Sequence, residues 1–389
     1  MQTRRDFLKI TSMTAAAAAT SPLLGRAQSP TQASDSPAPV SPPSTDVTGA
    51  NSLRAHAAAR GELPVGCAVA PAHFTEPAYA STIAAQAGIL VAENAMKWGA
   101  LRPAPDRFDF HDADRILAFA TAHGQKMRGH NLCWHESLPS WFAATVNKDN
   151  ARRYLTGHIT TVAGRYAGKL HSWDVVNEAI DIKSGRPDGL RKTPWLELIG
   201  PDYIELAFRT ARMADPAALL TYNDYAIEHD SPDDDAKRAQ VLALVQRLQA
   251  RGAPIDAVGV QSHLSATDPL PGKTFQQFVG ELARMNLQVF VTEMDVDERK
   301  LEGSVADRDA VVAKIYRDYI AMMLAEPNVT AALTWGITDR YSWLNDPKHR
   351  RPDGQPQRPL PFDADYRPTP AFFALRDAID TRPQQIAQR

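Results

Sequence analysis

From Leu53 onward, short apolar runs rich in β-branched residues alternate eight times with longer stretches whose apolar positions recur every three or four residues. The short runs fall at Val65–Val69, 88–92, Lys126–Leu132, Ser172–Asn177, Ala218–Tyr222, Ala257–Gln261, Val289–Thr292 and Ala331–Gly336. The helical stretches fall at Pro77–Ala87, Ala113–His123, Lys148–Tyr166, Tyr203–Met213, Asp234–Arg251, Phe275–Met285, Arg308–Leu324 and Pro370–Ile379. In the fifth of these, Val241, Leu244, Val245 and Leu248 make one apolar stripe. Runs this continuously apolar belong to strands buried on both faces, which is the environment of a parallel sheet. Eight such strand–helix units in one chain predict an α/β fold of the (β/α)8, or TIM-barrel, type, a single catalytic domain over residues 53–382. An open doubly wound sheet is the competing arrangement, but no glycine-rich phosphate turn follows the first run.

The first 52 residues do not share this pattern. Thr3-Arg4-Arg5-Asp6-Phe7-Leu8-Lys9 reads as a twin-arginine export signal, followed by an acid-free, alanine-rich run and small residues at Gly25 and Ala27. Residues 1–27 are therefore expected to be a cleaved signal peptide, with the mature protein periplasmic or extracellular. The apolar run is short of the roughly 20 residues a membrane span needs. Residues 28–52, rich in Pro, Ser, Thr and Ala, read as a disordered linker. The net charge of −2 gives nucleic acid or an anionic membrane no electrostatic hold. The two cysteines, Cys67 and Cys133, make no disulfide framework and are expected to be thiols in the core.

Chemistry collects at the C-terminal ends of the predicted strands, where parallel α/β folds place their sites. The second strand leads to Glu93, Asn94, Lys97 and Trp98, and the third to His130, Trp134 and His135. The fourth delivers Asn177 and Glu178, the fifth Asn223, Asp224 and Tyr225, and the sixth Gln261 and His263. The seventh ends in Glu293 and Asp295, two apart and so on one face of the strand. The eighth gives Trp335, with Trp343 in the loop beyond. Carboxylates, amides, imidazoles and flat indoles suit a sugar chain, whose hydroxyls need directional partners and whose C–H faces stack on rings. A strand-end glutamate pair then suggests glycoside hydrolysis by Glu178 and Glu293, with Asn177 on the sugar 2-hydroxyl. His130, His263 and the two glutamates could alternatively ligate a metal, but no two of them have helical ligand spacing. No metal or other cofactor is expected. Trp134, Trp335 and Trp343 are read as stacking platforms, Lys97 as a hydroxyl donor, and His135 and Trp98 as structural.

Five of these segments together carry a resemblance. Val91-Ala-Glu93-Asn94-Ala-Met-Lys97-Trp98, Arg128-Gly-His130-Asn-Leu-Cys-Trp134-His135, Trp173-Asp-Val-Val-Asn177-Glu178-Ala, Asp256-Ala-Val-Gly-Val-Gln261-Ser-His263 and Thr292-Glu293-Met-Asp295 resemble glycoside hydrolase family 10, the endo-β-1,4-xylanases. The eighth strand adds Trp335-Gly-Ile-Thr-Asp-Arg-Tyr-Ser-Trp343, and the likeness runs from about Leu53 to Ile379. The resemblance implies a retaining, two-step hydrolysis of xylan with Glu178 as acid/base and Glu293 as nucleophile. It implies that His263 and Asp295 support the nucleophile, and that Glu93, Asn94, Lys97, His130 and Trp335 line the glycone side. Tyr225 and Trp343 match the aglycone side, and Gln261 and Trp134 are counted with the substrate contacts. Ser137 stands where the family commonly has Gln, and Asn131 where it has Thr, so the second glycone subsite is expected to be weaker. The expected partner is a polysaccharide, xylan or its oligosaccharides, with the enzyme a monomer. An endo-β-1,4-glucanase on the same barrel is the nearest rival reading, and a non-catalytic sugar-binding barrel is the more distant one.

Overall fold

The computed structural model describes residues 46–383. Within them, eight parallel strands close into a barrel: β1 (Val65–Val69), β2 (Ile89–Ala92), β3 (Lys126–His130), β4 (Ser172–Asn177), β5 (Leu219–Asp224), β6 (Ala257–Val260), β8 (Gln288–Asp297) and β9 (Val329–Thr334). Each pairs with its neighbours in chain order, β1 pairs with β9, and β6 pairs with β8, with Ala257 opposite Gln288. A short extra strand, β7 (His263–Ser265), continues the line of β6 and pairs with the far half of β8, His263 opposite Asp295. Helices between the strands form the outer layer, the longest being Val305–Ala325 and Pro232–Ala250. None of the helices among the described residues is long and apolar enough to cross a membrane.

Two apolar layers follow from strand alternation. One set, including Ile89, Val91, Ala257, Phe290 and Leu333, fills the barrel interior. The other set, including Leu90, Val175, Tyr222, Val258 and Val291, faces the helices. A charged pair also lies inside the barrel, because buried Arg128 bonds Asp174 and stands over the Phe290 ring at 5.4 Å. The two longest helices are capped at their starts: Ser231 and Ser304 each accept from the backbone N–H three residues on.

The strand order is as the hydrophobic pattern predicts; several strand ends shift by one or two residues, and two boundaries differ by more. The seventh expected strand, Val289–Thr292, extends to Asp297. Its second half pairs with β7, which is too short to have a sequence signal of its own. Glu293 and Asp295 therefore sit within a paired strand. The linker expected to run to residue 52 is also shorter on its C-terminal side, because Val47 is buried and its carbonyl accepts from Gln86 Nε2 at 2.8 Å. Ser52 caps the helix Leu53–Ala59 by accepting from Ala55 N–H. Composition does not reveal one apolar anchor at the edge of a polar stretch. The signal peptide and the rest of the linker lie outside the described residues. Cys67 and Cys133 are both free and buried, as expected.

Candidate active site

Glu178 stands one residue past β4 with φ +55°, in the left-handed region where side-chain-bearing residues are uncommon. Its own N–H donates to the Asn223 carbonyl at 2.8 Å. The carboxylate is held at three points: Trp134 Nε1 donates to Oε2 at 2.9 Å, while Gln261 Nε2 and Asn177 Nδ2 donate to Oε1 at 2.9 and 3.0 Å. Burial pushes its carboxyl above the usual range, and the negative charges of Asp224 and Glu293 push the same way. Hydrogen bonds from Gln261 and Trp134 oppose this without reversing it.

Glu293 has the same chemistry and the opposite setting. Asn223 Nδ2 donates to its Oε1 at 2.7 Å, and His263 Nε2 lies 3.4 Å from its Oε2. Burial pushes this carboxyl up too, but the His263 hydrogen bond, the positive charge of His130 and His263 and the Asn223 bond outweigh it and hold it down at about 2. His263 is itself gripped from behind, its Nδ1 2.9 Å from Asp295 Oδ1, and Trp343 Nε1 donates to Asp295 Oδ2 at 2.6 Å. Burial disfavours the imidazolium, yet Asp295 and Glu293 together keep it protonated well above the ordinary histidine range.

A bridge of amides joins the two carboxylates. Asn223 Nδ2 uses one hydrogen on Glu293 and the other on Asn177 Oδ1 at 2.8 Å, and Asn177 in turn donates to Glu178. Thr292 Oγ1 donates to Asn223 Oδ1 at 2.8 Å, which fixes the amide's orientation. Only glycine fits behind it, since a Cβ on Gly259 would come 2.2 Å from Asn223 Oδ1.

On the other flank, Lys97 Nζ donates to Asn94 Oδ1 at 2.8 Å and Asn94 Nδ2 donates to Glu93 Oε1 at 3.1 Å. The ammonium lies 5.2 and 5.9 Å from the ring centres of Trp134 and Trp335. Burial lowers its proton affinity, while Glu293, Glu93 and Glu178 raise it. The Trp335 ring meets His130 and His263 edge-on at 5.4 and 6.4 Å. His130 Nδ1 lies 2.9 Å from Asp174 Oδ2, so the barrel's interior ion pair orients this histidine from below. Tyr225 lies beyond Glu178, its hydroxyl accepting from Arg191 Nη2 at 3.0 Å.

All fourteen residues proposed from sequence thus belong to one connected constellation. Two have closer work than substrate contact alone, because Gln261 and Trp134 spend their donors on Glu178. Trp343 likewise spends its indole N–H on Asp295. Trp98 is structural as read, buried and stacked on His158 at 3.7 Å between ring centres. The sequence reading gave no role to Asn223, the bridge, or to Arg191 and Asp174. Asn223 stands in plain view at a strand end, but its two amide bonds are a property of the closed barrel. Asp174 alternates inward along β4, and only the neighbouring strand supplies its Arg128 partner.

A family model described as glycosyl hydrolase family 10 matches residues 52–378. The chain is 34% identical over 331 residues to endo-1,4-beta-xylanase A of Thermoanaerobacterium saccharolyticum, covering 81% of this chain and 27% of that protein. It is 35% identical over 332 residues to exoglucanase XynX of Acetivibrio thermocellus, covering 81% and 28%. It thus spans just over a quarter of the length of these two relatives. Among solved structures, xylanase 10B of Thermotoga petrophila in complex with xylobiose superposes with a TM-score of 0.76 at 32% identity, covering 85% of this chain and 97% of that one.

Proposed function

The chain belongs to glycosyl hydrolase family 10, and from that premise we propose that it is a retaining endo-β-1,4-xylanase cleaving internal bonds of xylan and its oligosaccharides. The observation that carries the reading is the amide bridge with unlike carboxyls at its ends: Glu178 pushed toward its protonated form, Glu293 held ionised. Two carboxyls driven apart in this way are suited to acid and nucleophile roles. In the first step Glu293 attacks the anomeric carbon as the C–O bond to the aglycone breaks, and the Glu178 proton passes to the departing oxygen. In the second, Glu178, now ionised, takes a proton from water, whose oxygen displaces Glu293 and restores the configuration. Asn177 is placed beside Glu178 to bond the 2-hydroxyl, and Lys97, Asn94, Glu93 and His130 face the glycone.

Product analysis tests this reading. Xylan should yield short oligosaccharides with an early fall in viscosity, and carboxymethylcellulose should yield little. Faster attack on carboxymethylcellulose would replace it with the glucanase reading, and binding of xylan without any cleavage would replace it with the sugar-binding one. Trp335, set between His130 and His263, is the wall we assign to exclusion of the glucose hydroxymethyl group. Trp335→Ala should lower xylan turnover and reduce the preference for aryl xylosides over aryl glucosides by about tenfold, the scale of one small group in a tight pocket. An unchanged ratio would place the wall elsewhere.

We also propose export by the twin-arginine route to the periplasm or the medium, on the strength of Arg4-Arg5 and the apolar run behind them. Arg4→Lys with Arg5→Lys should leave unprocessed precursor in the cytoplasm, and normal processing of that variant would rule out this route.

A further inference from the structure

Arg191 makes contacts that the roles assigned so far do not use. The loop that follows Glu178 returns as a narrow turn, with Ile180 opposite Leu190, and brings Arg191 back beside the acid. There one residue serves three successive carbonyls. Arg191 Nε donates to the Glu178 carbonyl at 2.7 Å, its backbone N–H to the Ala179 carbonyl at 2.7 Å, and Nη2 to the Ile180 carbonyl at 3.3 Å. Nη2 also donates to the Tyr225 hydroxyl at 3.0 Å.

These bonds converge on the one strained residue of the catalytic pair. Glu178 at φ +55° lies outside the conformations its side chain prefers, and such backbone persists only where its surroundings over-determine it. The Asn223 carbonyl holds Glu178 from its N–H side. Arg191 holds it from its carbonyl side. The side-chain bonds from Trp134, Gln261 and Asn177 fix the carboxylate only if the backbone beneath it stays in place. Arg191 also borders a cavity of about 240 Å³ lined by Asp181, Lys183, Tyr225, Asp233 and Lys237. Its Nη1 lies 3.9 Å from Asp181 Oδ2, beyond hydrogen-bond reach.

We propose that Arg191 is a positioning residue for the acid/base: by clamping the carbonyls of 178–180 it aims the Glu178 proton at the departing oxygen, and through Tyr225 it ties that aim to the aglycone side. The proposal rests on the acid/base role assigned to Glu178. Its consequence is selective. Losing the clamp impairs proton delivery, which matters for a poor leaving group and hardly at all for one that departs as a stable anion. Attack by Glu293, on the far end of the amide bridge, does not depend on Arg191.

The test compares wild type, Arg191→Lys, Arg191→Met and Glu178→Ala on phenyl and 2,4-dinitrophenyl β-xylobiosides, read as kcat/KM. For Arg191→Met the loss should be about 100-fold on the phenyl substrate, the lower end of what a positioned acid supplies, and within about threefold on the dinitrophenyl one. Arg191→Lys, with a single donor group in place of the fork, should lie between it and wild type. Equal losses on the two substrates would mean a general structural role and would overturn the proposal, as would no loss on either. If Arg191→Met fails to fold, Arg191→Lys is read by the same ratio. The Glu178→Ala arm separates the two ideas. If that variant itself shows no leaving-group dependence, the acid assignment falls. If it does and the Arg191 variants do not, only the clamp is wrong.

Discussion

Glu293→Ala should abolish turnover of every glycoside, whereas Glu178→Ala should spare those whose leaving groups need no proton. Glu293 is the ionised member of the pair, held at about 2 by His263, His130 and Asn223 against its own burial. Among the described residues no other carboxylate reaches both Asn223 and His263, so no substitute nucleophile is in place. The loss should be on the order of 10⁴-fold or more, whatever departs. Glu178→Ala removes an acid. On xylan the loss should be about 10²–10⁴-fold, but a dinitrophenolate leaves unaided and the glycosyl-enzyme should still form. Deglycosylation then lacks its base, so a burst of dinitrophenolate should precede a slow steady state. Azide, small and already anionic, should enter the space left by the Glu178 side chain and release the β-glycosyl azide. With Glu293→Ala the product should be the α-azide, by direct inversion, or nothing. A β-azide from Glu293→Ala would exchange the two roles, and full xylanase activity in both variants would remove the site.

The fold and the two glutamates were legible for one reason: both follow from local pattern. A strand buried on both faces must be continuously apolar, so Val289–Val291 or Ala257–Val260 announce themselves, and a carboxylate closing such a strand is conspicuous. Spacing by two put Glu293 and Asp295 on one face, and the structure has His263 reaching both. What sequence could not supply is which amide meets which carboxylate. Gln261 and Trp134 look like any other sugar-binding residues until the barrel closes and sets their donors on Glu178. Arg191 is a cation in a long polar loop, and only the return of that loop to residues 178–180 gives it a role. The left-handed backbone of Glu178 was equally invisible, because a glutamate carries no preference for it. Long-range pairing and backbone strain are properties of the closed structure, and neither leaves a periodic trace.

His263→Ala should move the acidic limb of the pH–rate profile upward and leave the alkaline limb in place. Activity requires Glu293 ionised and Glu178 protonated, so the profile is bounded below by the first and above by the second. With Glu293 held at about 2, the lower limb of the wild type lies below ordinary assay conditions, and activity should stay high as pH falls toward the limit of stability. The alkaline fall should lie above the usual carboxylate range, because burial, Asp224 and Glu293 all favour the protonated form of Glu178. The two limbs depend on different neighbours. His263 is the largest influence opposing the burial of Glu293, and it can act because Asp295 and Trp343 keep it charged and aimed. Removing it leaves a buried carboxylate with Asn223 and the charges of His130 and Lys97. A nearby opposite charge ordinarily lowers a carboxyl by about 1–3 units, so the acidic limb should rise by that amount and enter the measurable range. The sign is fixed, since losing a partner of the ionised form can only make protonation easier. Asp295→Asn should act in the same direction through His263, whose imidazolium loses its main support. Glu178 takes its hydrogen bonds from Trp134, Gln261 and Asn177, none of which touches His263, so the alkaline limb should hold. The profile of kcat/KM on an activated aryl xylobioside reads both limbs of the free enzyme. An acidic limb that stays put in His263→Ala would mean that Asn223, His130 and Lys97 hold the nucleophile ionised without His263.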